Sequence, residues 1–96
     1  MKAYLIIEAV IHDTDRFLEY LGKIPAFVDK HGGRYLVKGE EAEMMEGDRK
    51  PGKIAVIEFP SRDHARGFME DPEAQKLFAV RHASTTSEIL LVNGCD

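Results

Sequence analysis

One cysteine, Cys95, is all the thiol this chain has. A lone thiol forms no internal disulfide, and there is no cysteine cluster to hold zinc. Its place beside the last residue reads as a free thiol at a terminus. Positive charge is also in short supply. Thirteen Lys and Arg stand against seventeen Asp and Glu, a formal net charge of −4. A nucleic-acid binder ordinarily carries a basic stripe that releases counterions from phosphates, so no nucleic-acid partner is expected. No run of five like charges marks an electrostatic tail. No apolar stretch approaches the ~18 residues of a membrane span. The opening MKAYLIIEAVIHD has a short apolar run broken by Glu8, whereas a signal peptide needs a cleaner apolar core and a small-residue cleavage site. The expectation is a cytoplasmic protein with no membrane partner.

Catalytic and cofactor motifs are missing too. There is no Gly-x-Ser-x-Gly elbow, no phosphate loop and no Gly-x-Gly-x-x-Gly. Histidines 12, 31, 64 and 82 show neither His-x-x-x-His nor Glu-x-x-His spacing. EGDRKPG contains acid and glycine but does not fit a calcium loop. No cofactor and no metal are expected.

What is present suits one globular domain over residues 1–96, with 44% hydrophobic and 31% charged residues. A domain this small buries only about 60–65% of its unfolded surface, and a second subunit would extend the core. KAYLIIEAVI is rich in β-formers and predicts a strand over Lys2 to Ile11. Alternation puts Tyr4, Ile6, Glu8 and Val10 on one face, and Leu5, Ile7, Ala9 and Ile11 on the other. Phe17, Leu18, Leu21, Ile24, Phe27 and Val28 recur at helical spacing after a capping Asp13 or Thr14. Gly32 suits the left-handed position that ends the helix. Pro25 predicts a kink, or a split near Gly22.

RYLVK is a second strand, which EEAEMMEG is placed to continue after a break at Gly39, and DRKPG is a turn. KIAVIEF is a third strand, stopped by Pro60. Ser61 caps a further helix. Asp71 caps another, with Pro72 at its first position, where the missing N–H costs nothing. Ala74, Leu77, Phe78 and Arg81 lie along one side of that helix, and SEILLVNG is the last strand.

The order strand, helix, strand, strand, helix, strand is the ferredoxin-like βαββαβ arrangement: an α+β fold with a four-stranded antiparallel sheet and helices on one face. The opposite face carries Tyr4, Ile6, Val10, Ile54 and Val56 and is too apolar to stay bare. Two such sheets packed face to face make a dimeric α/β barrel, so a homodimer through the sheet faces is expected.

KHGGRYLVKG, IAVIEFPSRDHARGF, DPEAQKLFAVRHAST and ILLVNG resemble the family called domain of unknown function 1330. The likeness runs from about Tyr4 to Gly94. Its most specific parts are Gly-Gly-Arg after the first helix and Glu-Phe-Pro-Ser after the third strand. The resemblance implies the same dimeric α/β-barrel fold. Its wider structural relatives include cofactor-independent monooxygenases, muconolactone-isomerase-like enzymes and haem-binding proteins, an analogy at the level of fold.

A few residues carry possible chemistry. Period-2 counting sends Glu8 and Glu58 to the same interior. Like charges there would raise each other's pKa and ready one of them, Glu58 above all, for general acid–base work. Alternatively each pairs with a cation, Arg34 or Lys38, or opens to water. Arg34, beside two glycines, is either an anchor for an acidic ligand or the salt-bridge partner of Glu8 or Glu58. His31 is a general-base candidate or simply meets the last carbonyls of its helix. Tyr4 lines the pocket or packs in the core. The reading that follows is a homodimer that binds a small acidic or aromatic metabolite in the cavity between sheet and helices. Its ligand contacts are Arg34, Glu8, Glu58 and Tyr4. The alternatives are a cofactor-independent enzyme of monooxygenase or isomerase type, with Glu58 or His31 moving a proton, and a structural module with no substrate.

Overall fold

The computed structural model describes residues 1–95. The elements follow in the order β1 (Ala3–Ile11), α1 (Thr14–Lys30), β2 (Arg34–Glu41), β3 (Lys53–Phe59), α2 (Arg62–Glu70), α3 (Pro72–Ser84) and β4 (Thr85–Asn93). All neighbouring strands are antiparallel, in the spatial order β2-β3-β1-β4. This is the expected βαββαβ fold, with its second helical segment divided into α2 and α3.

Local chemistry sets most of the boundaries. The Asp13 carboxylate accepts from the backbone N–H of Arg16 and opens α1. At the other end Gly33 N–H donates to the Val28 carbonyl and Gly32 N–H to that of Asp29. This paired C-terminal motif requires the left-handed φ of +77° that Gly32 adopts. Ser61 caps α2 through the N–H of His64. Asp71 ends α2 and caps α3, accepting from Glu73 and Ala74 N–H.

One expectation is corrected and one is refined. Pro25 lies inside α1, which runs from Thr14 to Lys30 with no split near Gly22. Tyr20 and Ile24 before it and Val28 after it are all buried, and their packing outweighs one missing hydrogen bond. Gly39 interrupts the regular pairing of β2 without ending the strand, which continues to Glu41. Its φ of +70° sits where the pairing with β3 slips register between Val37 and Glu40. The break is a bulge.

One face of the sheet supports the helices. Leu5, Ile57 and Phe59 from the strands meet Tyr20, Ile24 and Val28 of α1, Phe68 of α2 and Phe78 of α3. Phe68 lies 5.5 Å from Phe59 and 5.4 Å, edge to face, from Phe78, between ring centroids. The Cα envelope is only 16 Å through its thinnest dimension, and among the described residues no helix packs on the sheet's second face, which only the β2–β3 loop reaches, at Glu8. There cross-strand neighbours form rows: Tyr4 between Glu58 and Val92, Ile6 between Val56 and Leu90, Glu8 between Ile54 and Glu88. Leu90 is 60% exposed, and Val10, Leu36 and Val92 are also exposed.

Candidate functional site

Tyr4, Glu8, Arg34 and Glu58, expected at a cavity between sheet and helices, lie instead on this open face, where the structure sorts them into two clusters. At one end Arg34 Nε lies 3.0 Å from Glu58 Oε1, with Lys2 Nζ at 3.6 Å. The Tyr4 hydroxyl donates to the other Glu58 oxygen at 3.4 Å. Register explains the meeting, because Glu58 is the cross-strand partner of both Arg34 and Tyr4. At the other end Glu8 is held by Arg49, whose two terminal nitrogens reach its two oxygens at 2.5 and 2.9 Å. The Gly52 N–H adds a third bond at 3.0 Å.

The two carboxylates therefore do not raise each other's pKa. The Arg49 guanidinium and the Gly52 N–H bring Glu8 down from an ordinary 4.5 to about 2. Arg34, helped by Lys2 and Tyr4, lowers Glu58 as well. Both stay ionised at neutral pH. The sign for stability follows. Glu8 titrates lower when folded, so its contribution is full above pH 4.5 and is lost as pH falls toward 2. Arg49→Ala leaves Glu8 beside Glu88, its like-charged cross-strand neighbour. The Glu8 carboxyl is then expected to titrate well above about 2, toward the ordinary 4.5, with the Gly52 N–H still holding it down in part, read by carbon-detected NMR. An unchanged titration would mean that Arg49 does not hold it.

His31 lies elsewhere. Its Nε2 is 2.8 Å from Asp71 Oδ2, an oxygen that also takes Lys30 Nζ at 2.8 Å. Lys30 and His31 hold Asp71 well below the usual carboxylate range. The imidazole thus ties the end of α1 to the junction of α2 and α3, rather than meeting the last carbonyls of its own helix.

Between sheet and helices, beyond the phenylalanine cluster, lies a cavity of about 370 Å³. The sheet offers it small side chains, Ala9 and Ala55, where larger ones would fill the space. Phe17, Tyr20 and Leu21 of α1 form the wall above them. Tyr35 and Lys38 of β2, Lys53 of β3 and Arg81 of α3 complete it. Burial pushes the Tyr20 and Tyr35 hydroxyls up, so both are protonated at neutral pH. A larger hollow of about 540 Å³ lies under the β2–β3 loop, but it is more open and has no aromatic lining. None of Tyr4, Glu8, His31, Arg34 or Glu58 lines the helix-side cavity. Among the described residues no three His, Cys, Asp or Glu side chains converge as metal ligands. No described helix is long and apolar enough to cross a membrane.

Sequence reasoning missed Arg49, and it placed Arg81 on the face of its helix shared with Ala74 and Phe78 without giving it a site role. Arg49 sits in a loop, 41 residues from Glu8, and nothing local announces the pairing. Arg81 did have a signal: it is the cation on the buried stripe of Ala74 and Phe78.

Fold and cavity together define a ferredoxin-like α+β protein with a helix-side pocket and an open apolar sheet face. The chain belongs to the family described as domain of unknown function (DUF1330), which it matches over residues 2–95. No curated protein matches it. Among solved structures it is similar to RPA0582, a protein of unknown function from Rhodopseudomonas palustris. The TM-score is 0.82 at 14% identity, over 99% of this chain and 83% of that one. It is similar to a dimeric ferredoxin-like protein of unknown function from Jannaschia sp. CCS1, at TM-score 0.76 and 10% identity, over 98% and 100% of the chains. It is also similar to SnoaB, a cofactor-independent oxygenase from Streptomyces nogalater, at TM-score 0.73 and 15% identity, over 99% and 94%. At these identities the likeness is one of fold.

Proposed function

We propose that residues 1–96 act as one homodimeric unit and that each subunit binds a small acidic or aromatic metabolite between its sheet and its helices. The cavity of about 370 Å³ carries this reading. Its size falls within the range of small-molecule sites, and its aromatic walls with few polar groups match their usual make-up. Self-association is supported by the uncovered apolar rows of the sheet and by the dimeric state of the Jannaschia protein. Cytoplasmic residence belongs to the same reading and is supported by the near absence of cysteine.

In a face-to-face dimer, Tyr4, Glu8, Arg34 and Glu58 line the seam between the sheets. Any ligand contact they make is with a molecule enclosed there, and Arg34 is the anchor it would find. An enzymatic role has less support. Glu58 is held ionised by Arg34 and Lys2, and His31 is engaged by Asp71, both away from the cavity. A purely structural role leaves the open volume under α1 without a purpose.

Sedimentation velocity tests the dimer, with Leu90→Glu as the variant. Leu90 is 60% exposed in the single subunit, so the substitution harms the isolated fold little. It would bury charge at a face-to-face seam. The wild type is expected to sediment as a dimer and the variant as a folded monomer. A monomeric wild type would end the dimer reading. The cavity is tested separately by amide chemical-shift changes around Tyr20 and Tyr35 on adding small aromatic compounds.

A further inference from the structure

We infer that the helix-side cavity is a site for an organic anion, a one- or two-ring aromatic carboxylate whose acid group is anchored by Arg81. The inference rests on the cavity reading above and gives it a ligand class.

Arg81 is 4% exposed, and among the described residues it forms no ion pair. Its partners are the Tyr20 hydroxyl, 3.3 Å from one terminal nitrogen, and the His82 ring, 3.1 Å from the other. Its Nε–H is buried and has no acceptor. Aromatic faces take up part of the charge, with Cζ 4.8 Å from the Phe78 centroid and 5.7 Å from that of Tyr20. Neither a ring face nor a hydroxyl replaces a counter-ion. Buried cations are ordinarily paired, because removing an unpaired charge from water is expensive. Elsewhere in this chain cations do find carboxylates: Arg34 has Glu58, Arg49 has Glu8 and Lys30 has Asp71. Arg81 is the one buried cation among the described residues, and it borders the cavity with no carboxylate beside it.

The electrostatics of the lining agree. Three cationic side chains, Lys38, Lys53 and Arg81, border the cavity and no carboxylate does. This is in a chain whose formal net charge is −4. Such a lining draws in anions and repels cations. A carboxylate is favoured as the anionic group because a guanidinium meets it with two parallel N–H donors, and the free Nε–H is one of such a pair. The rest of the ligand is set by Phe17, Tyr20, Tyr35 and the small floor residues Ala9 and Ala55, which form an apolar slot rather than a cage for a bare ion.

The experiment uses the full-length protein with 2-naphthoate and its neutral counterpart 2-naphthylmethanol, followed by calorimetry and proton–nitrogen NMR. The acid is expected to bind at least about tenfold tighter than the alcohol. Added salt should weaken the acid alone. The Arg81 Nε–H signal should shift with the acid and not with the alcohol. Arg81→Met should abolish the preference, bringing the acid's affinity to that of the alcohol in the same variant. If that variant does not fold, the Nε–H signal of the wild type decides instead. Equal binding of acid and alcohol would overturn the anion inference and leave the cavity reading standing. Binding of neither would overturn both. A preference that survives in Arg81→Met, or an acid that shifts Arg34 amides rather than Tyr20 and Tyr35, would overturn the role given to Arg81.

Discussion

Phe59→Ala is expected to lower folding stability by about 3–5 kcal/mol, the range for emptying a phenylalanine site in a packed core. Phe59 is 0% exposed and, with Phe68, is one of the two largest fully buried side chains. It ends β3, where the sheet turns toward α2, and its ring packs against Phe68, which in turn packs on Phe78. Loss of one ring therefore opens a void at the centre of the cluster that joins β3, α2 and α3. Leu5, Ile57 and Ile24 are also nearly fully buried and already placed, so little can collapse into it. Urea unfolding of the wild type and variant gives the difference directly. A loss below about 1 kcal/mol would mean that the core relaxes around the site, contrary to the packing described.

The second large effect comes from adding an atom. Gly33→Ala would put a Cβ 2.6 Å from Phe59 Cε1 and 3.0 Å from two further ring carbons. The ring has little room to move, because it is fully buried and packs against Phe68 with centroids 5.5 Å apart. Overpacking of this kind costs about 1–3 kcal/mol. Its cause can be isolated by a double-mutant cycle. In a Phe59→Ala background the new methyl group meets a void, so the Gly33→Ala penalty should largely vanish. The coupling should approach the size of the single penalty. An additive result would place the strain in the backbone instead. This would be unexpected, since φ at Gly33 is not in the left-handed region, unlike that at Gly32.

The open sheet face and the cavity differ in what their charges can do. On the open face, acids and bases neutralise one another within the subunit: Glu58 with Arg34 and Lys2, Glu8 with Arg49. Such pairs suit a surface that another subunit covers, since neither charge is buried alone. At the cavity, positive charge borders an apolar slot without compensation. Under the proposed function, the two faces of one sheet divide the work of association and ligand capture.

The helix starts and stops were legible in the sequence because each depends on residues within a turn of one another. Asp13 with Arg16, Ser61 with His64, Asp71 with Ala74 and Gly32 after Asp29 are local arrangements. Strand faces were legible for a similar reason. Side chains alternate along β1, so Leu5 and Ala9 inside and Tyr4 and Glu8 outside follow from counting. The order of elements then left few ways to build a sheet. The Arg34–Glu58 pairing lay within reach of the same logic, because the two strands are consecutive and antiparallel.

Tertiary structure decided the rest. Whether Pro25 breaks α1 depends on how much Ile24 and Val28 gain by burial, which the helix's own sequence does not state. Which cation holds Glu8 depends on a loop that brings Arg49 across 41 residues. The location of the cavity depends on how α1 sits over Ala9 and Ala55, and on Arg81 arriving from a third element with no carboxylate to meet it. Periodicity reports the direction in which a side chain leaves its own backbone. What that side chain meets is set by the register and packing of elements far away in the chain, and the chemistry of a site depends on those meetings.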